Sequence, residues 1–390
     1  MAKKMIRFFA VAMVFSILLL AFSGCNQPID DTSGKNPSGN GTSSTKNPID
    51  TSIPDPDDIV KEPVSISCLA GTPNCYKFDG TTLTFTSISA DSIYAISGTF
   101  EGNIVIDTGD SFKFELEMHG FTLICDYTSP ITVLSGDEVD LKAKKDYDNF
   151  IYDNREAVDS ADQTQKAAAI YSEVDLEISG KGKLVVNSKN NNGIHTKDDL
   201  QVKNLTLRVI CMDNALRGND SVEITNAHTT LIVFKGDCVK TTNSHISAKT
   251  GNQKGTVYIA GGTHKFSSAC DGIDSSYDVV IENSTESATV LDIFTYKYSE
   301  FTGDVAFTSA KGIKAANSVT IKSGKVNIMS YDDGISAKND GGLLENGNAP
   351  RGDVTISGGT VTIKTNSKGI HADGTLSVIS NNVTIDEFCE

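Results

Sequence analysis

From about residue 63 onward the chain alternates apolar and polar positions in short runs. DLEISGKGKLVVNS (175–188), DSVEITNAHTTLIVFK (220–235), NSVTIKSGKVNIMSY (317–331) and GDVTISGGTVTIKTN (352–366) each place Val, Ile or Leu at every second position on both sides of a Gly, Asn or Ser. A period of two marks a half-buried strand, and the polar break marks a turn, so each run predicts strand, turn, strand. No segment of this region sustains a helical period.

The runs are separated by a recurring hexamer. CDGIDS around Ile273 matches KAAAIYS around Ile170, NNGIHT around Ile194, DNALRG around Leu216, GDCVKT around Val239, AKGIKA around Ile313, DDGISA around Ile335 and SKGIHA around Ile370. These central residues are spaced by 24, 22, 23, 34, 40, 22 and 35, and an earlier unit centres on Ile131. A unit of about 22–24 residues with three short strands predicts an all-β parallel β-helix, each strand pairing with its equivalent in the next coil. The longer gaps are then loop inserts, and the central residues stack into an inward aliphatic ladder at roughly 4.8 Å per step.

Stacking turns neighbours of the ladder into columns. Two places before it stand Asn192, Asn214, Asp237 and Asp271, with Asp213 one place earlier. Asp213, Asn214, Asp237 and Asp271 are the candidate metal ligands: clustered hard oxygens suit calcium, and aspartates stacked on adjacent strands repel unless something positive intervenes. One place after the ladder stand Tyr171, His195, Arg217, Lys240, Asp274, Lys314, Ser336 and His371. Arg217, Lys240 and Lys314 are the candidate carbohydrate-binding cations, since a guanidinium can hold a sugar carboxylate by two hydrogen bonds and a lysine adds a point charge.

Composition adds compartment and partner class. Lys3, Lys4 and Arg7 precede FFAVAMVFSILLLAF and the sequence FSGC, which resembles a bacterial lipobox. Residues 1–24 are expected to be a lipoprotein signal peptide and Cys25 the lipidated residue. Residues 25–62, rich in Ser, Thr, Asn, Gly, Pro and Asp, read as a flexible tether, leaving 63–390 as the working domain. The expectation is an exported monomer, lipid-anchored at an outer membrane or cell surface. Cys68 and Cys75, close together in CLAGTPNC, are a disulfide candidate in such a compartment. A formal net charge of −16 argues against nucleic acid, which needs a basic surface.

The KAAAIYSEVDLEISGKGKL, NNGIHTKDDLQV and DNALRGNDSVEI units resemble the clostridial-type carbohydrate-binding domains over roughly residues 90–390. The resemblance implies a right-handed parallel β-helix shaped like the calcium-dependent pectate lyases, binding calcium and polygalacturonate. Its DGI or DGL motif is DNALR at 213–217 and GDCVK at 236–240 in this chain. Three functions remain open on these grounds. One is a surface lipoprotein binding acidic polysaccharide with calcium assistance. The second is a polysaccharide lyase with Arg217 or Lys240 as base, and the third a non-catalytic adhesin or structural surface protein.

Overall fold

The computed structural model describes residues 50–158, 166–296, 309–339, 342–379 and 381–387. The leader, Cys25 and most of the expected tether lie outside them. Residues 50–62 belong with the compact unit that begins at Ile49. Tyr152 Oη donates to the carbonyl of Pro54 at 2.9 Å, and Thr99 N–H donates to the carbonyl of Glu62 at 2.8 Å.

Alternation sets the strands. In Asp278–Glu282, Val279 and Ile281 are buried while the three residues between and beside them face outward. Among the described residues there is no α-helix, only a 3-10 turn at Pro56–Asp58. The strands assemble into one sheet of 19 and one of 12. All pairings between successive repeats are parallel. At the amino-terminal end, Ser65–Ala70 runs antiparallel to Ser92–Glu101, and Tyr76–Phe78 runs antiparallel to Thr82–Thr86.

The expectation of a right-handed parallel β-helix with three separate strands per coil is corrected. In the larger sheet the pairings close on themselves: Phe114–Cys125, Val139–Ala143, Leu176–Gly180, Asp199–Lys203, Ser221–Val233, Thr206–Cys211, Lys183–Ser188 and Asp148–Asp153 form a ring of eight parallel strands. By its hydrogen-bond connectivity this is a closed barrel, with the 12-stranded sheet separate from it. Closure follows from two long strands, Phe114–Cys125 and Ser221–Val233, that continue through what the sequence marks as turns. Gly120 (φ 72°) and Asn226 (φ 51°) take the corner in the left-handed region without ending the strand, a conformation open to Gly and tolerated by Asn.

The aliphatic ladder is present. Ile131, Ile170, Ile194, Leu216, Val239, Ile273, Ile313 and Ile335 pair in register along the 12-stranded sheet, and all are fully buried. The glycine preceding the central residue is fixed by packing. A Cβ on Gly272 would lie 2.4 Å from Ile293 Cγ2 and 2.6 Å from the carbonyl oxygen of Gly312, and Gly312 and Gly334 meet the equivalent pair of contacts. Glycine stands there because the opposite wall of the core and the next repeat's backbone leave no room. Ala215 and Cys238, which replace it in two units, are both fully buried. Their departure from the motif is therefore a matter of core packing and does not touch an outward ligand surface.

Cys68 and Cys75 are free thiols, so the expected disulfide is corrected. Their flanking strands cap different sheets, and each Sγ donates to a backbone carbonyl, Cys68 to Ala70 at 3.3 Å and Cys75 to Ser87 at 3.4 Å.

His264 is fully buried within Thr256–Ser268. Its Nε2–H donates to the Gly261 carbonyl at 3.1 Å, and its Nδ1 accepts from Thr229 Oγ1 at 2.9 Å. Burial pushes its pKa from 6.5 down to about 4. In that window the unfolded chain binds the proton and the folded one does not, so stability present above pH 6.5 is lost as pH falls toward 4, by about 3 kcal/mol. Urea denaturation at pH 7 and pH 4.5 should show a larger loss for the wild type than for His264→Gln; equal losses would refute this assignment.

Candidate functional site

The column two places before the ladder is built of oxygens that hold backbone. Asn192 Oδ1 accepts from Asn214 N–H at 3.0 Å, Asn214 Oδ1 from Asp237 N–H at 3.1 Å, and Asp237 Oδ1 from Asp271 N–H at 2.8 Å. Asp271 Oδ1 accepts from Lys311 N–H at 2.8 Å and from Ser309 Oγ at 2.7 Å. One oxygen of each side chain is thereby committed to joining repeats, as Asn and Asp do in turns.

The remaining oxygens of the lower part of the column meet lysines. Asp237, Asp271 and Asp274 bring carboxylate oxygens within 4.8 Å of one another. Lys240 Nζ lies 2.6 Å from Asp237 Oδ2 and 2.9 Å from Asp274 Oδ2. Lys314 Nζ lies 3.0 Å from Asp274 Oδ1 and 3.5 Å from Asp271 Oδ2. Burial, reinforced by Asp274 and Asp271, pushes the Asp237 carboxyl up to about 6 against the pull of Lys240. Burial acts upward on Asp274 as well, but the two lysines hold it below its usual value. The Lys240 ammonium is pushed up by Asp237 and Asp274 despite the opposing effect of burial.

This arrangement revises the metal candidates. Asp237 and Asp271 are brought together, Asp274 joins them, and Asp213 and Asn214 are not part of the cluster. Asn214 offers an amide, not a carboxylate, and spends its Nδ2 on Asn192 and Asp213. Calcium needs six to eight oxygens, whereas every carboxylate oxygen here already accepts an N–H or faces an ammonium. The residues therefore do not fit calcium: the positive partner that the stacked aspartates require is supplied by Lys240 and Lys314. With two carboxylates on its ammonium, Lys240 also has no free lone pair to act as a base.

A second acidic group, which the sequence reasoning passed over, comprises Asp175, Asp198 and Asp199, with oxygens again within 4.8 Å. Asp220 is beside them and is paired with Lys254. Burial and the neighbouring Asp220 push Asp198 up to about 7, and burial with Asp199 raises Asp175. The sequence signal was a fixed offset, since Asp175 and Asp199 both lie five places after a ladder residue. In this partly exposed set Asp175 Oδ1 accepts from Asp199 N–H at 3.2 Å and Asp199 Oδ1 from Ser221 Oγ at 2.6 Å, but among the described residues no lysine pairs with the three carboxylates, so it fits a hard cation better than the first.

The column one place after the ladder is in register along the 12-stranded sheet, pairing Tyr171 with His195, then Arg217, Lys240, Asp274, Lys314, Ser336 and His371. Tyr171 meets His195 edge to face at 5.3 Å. His195 Nε2 contacts Asn219 Oδ1 at 3.2 Å, and burial followed by the charge of Arg217 pushes its pKa down to about 4. His195 is neutral near pH 7. His371, far along the column, contacts Asp373 at 3.0 Å and shares no site with His195.

The repeats thus carry one largely polar, in-register column along the 12-stranded sheet. Residues 79–349 match the model of the carbohydrate-binding domain-containing protein family, and the chain belongs to that family. A carbohydrate-binding domain-containing protein of Acetivibrio thermocellus is 34% identical over 208 residues, covering 52% of this chain and 70% of that one. A solved structure titled as the polysaccharide lyase-like protein from C. thermocellum, gadolinium derivative, is similar with a TM-score of 0.48 and 20% identity, over 81% of this chain and 94% of that one.

Proposed function

We propose that the chain binds an acidic polysaccharide laid along the outward column of the 12-stranded sheet, as an exported, lipid-anchored surface protein. The observation that supports it most is the column's register: from Tyr171 to His371 one residue per repeat stands in line, at roughly 4.8 Å per step, and all but the buried Tyr171 and Ser336 are partly exposed. A linear polymer can meet such a track at several successive points, and each weak contact adds to the rest. Calcium enters this reading at Asp175, Asp198 and Asp199, where it would supply a bridging positive charge between an acidic protein and an acidic polymer.

Affinity electrophoresis of the signal-free protein in gels containing polygalacturonate or a neutral β-glucan tests the reading. Retardation is expected in the acidic gel, weaker with a calcium chelator, and little in the neutral one. Equal retardation in both gels, or none in either, would overturn it.

A further inference from the structure

The outward column contains cations of two kinds. Lys240 and Lys314 are each held by two internal carboxylates. Arg217, one repeat from Lys240, is half-buried, and among the described residues no carboxylate reaches it at ion-pair distance. Its Nε is sealed from water with no hydrogen-bond acceptor. Burial weighs against its charge, and Asp213 is the acid whose field supports it.

Asp213 is its counterpart. Burial pushes this carboxyl up, with Arg217 and then Lys240 opposing, and its Oδ1 accepts from Asn214 Nδ2 at 3.0 Å. Guanidinium and carboxylate thus feel each other across a gap that neither closes. A half-buried guanidinium left without an acceptor carries a desolvation cost that a planar anion can offset through two parallel N–H···O bonds from the terminal Nη1 and Nη2, the sealed Nε staying out of reach. Neutral His195 beside it, fixed by Asn219 and Tyr171, adds no second positive charge and forms a rigid wall.

We propose that Arg217 and Asp213 form a uronate subsite, in which the guanidinium grips the carboxylate of an acidic sugar and Asp213 accepts a hydrogen bond from one of that sugar's hydroxyls. The subsite rests on the polysaccharide-binding reading and names the sugar chemistry it selects. It also assigns selectivity to Arg217 and not to Lys240 or Lys314, whose charges are spent within the protein.

The test compares polygalacturonate with its fully methyl-esterified form by titration calorimetry, using wild type, Arg217→Met and Arg217→Lys with unchanged melting temperatures. Arg217→Met should weaken binding of polygalacturonate about tenfold to a hundredfold, the range of a charge-assisted bidentate pair, and leave the ester unaffected. Arg217→Lys, which keeps the charge and loses the fork, should fall between. An equal loss on both polymers, or no loss on polygalacturonate, overturns the subsite while leaving polysaccharide binding intact. If the wild type binds neither polymer, the subsite and the reading beneath it both fail.

Discussion

Replacing Lys240 by methionine is expected to cost the fold about 3–5 kcal/mol at pH 8, the penalty for leaving a buried charge without its partner. Asp237, held in the backbone-joining column by the Asp271 N–H, and Asp274 beside it would keep their places and lose the ammonium they share. The loss should shrink at low pH. In the variant the Asp237 carboxyl has a folded pKa further above its unfolded value, so the proton it takes up favours the folded state below that pKa, and this help disappears as pH rises through it. Denaturant midpoints at pH 5 and pH 8 measure the difference. Calcium gives the sharper comparison: removing the lysine frees one oxygen each of Asp237 and Asp274, so millimolar calcium should raise the melting temperature of the variant more than that of the wild type. An equal rise would mean that Lys240 does not stand where a cation could.

The second large effect is expected at Gly272. A valine there must place its Cβ 2.6 Å from the Gly312 carbonyl oxygen, and backbone held between parallel neighbours cannot move aside. A cost of at least about 3 kcal/mol follows from overpacking a site with no slack. Ala215→Gly, at the equivalent place in a unit that already houses a Cβ, should cost about 1 kcal/mol for the lost methyl. Urea titrations of both variants decide the matter, and a Gly272→Val protein as stable as wild type would show that the core wall yields.

The ladder and its two flanking columns were legible in the sequence because a period of two and a repeated hexamer each carry register. Ile194, Leu216 and Val239 differ in side chain but occupy one column, and spacing alone placed them there. The number of sheets was not legible. Asn226 and Gly120 look like residues that end strands, and whether a strand ends or merely bends at such a residue depends on the backbone beside it. The role of Gly272 was hidden for a related reason: its constraint comes from Ile293 and Gly312, distant in sequence. At the acidic cluster, residue type was read correctly and partnership was not. Asp274 stands in the column after the ladder and so falls outside the four expected ligands, yet that column is where Lys240 and Lys314 lie. Asn214 has the oxygen a ligand needs and uses it on the next repeat's amide.

The antiparallel strands Ser65–Ala70 and Tyr76–Phe78 close one end of the stack, while at the other Leu376, Val378 and Ile385 continue buried columns into solvent, with 52%, 44% and 44% of their surface exposed. The protein therefore has a direction. Its first repeats form a finished floor, and each later repeat adds to an open edge that its predecessor has already shaped, with only nearest-neighbour contacts to satisfy. Such a chain can be laid down in the order in which it is synthesised, course upon course, and its last course is the one most easily lifted off.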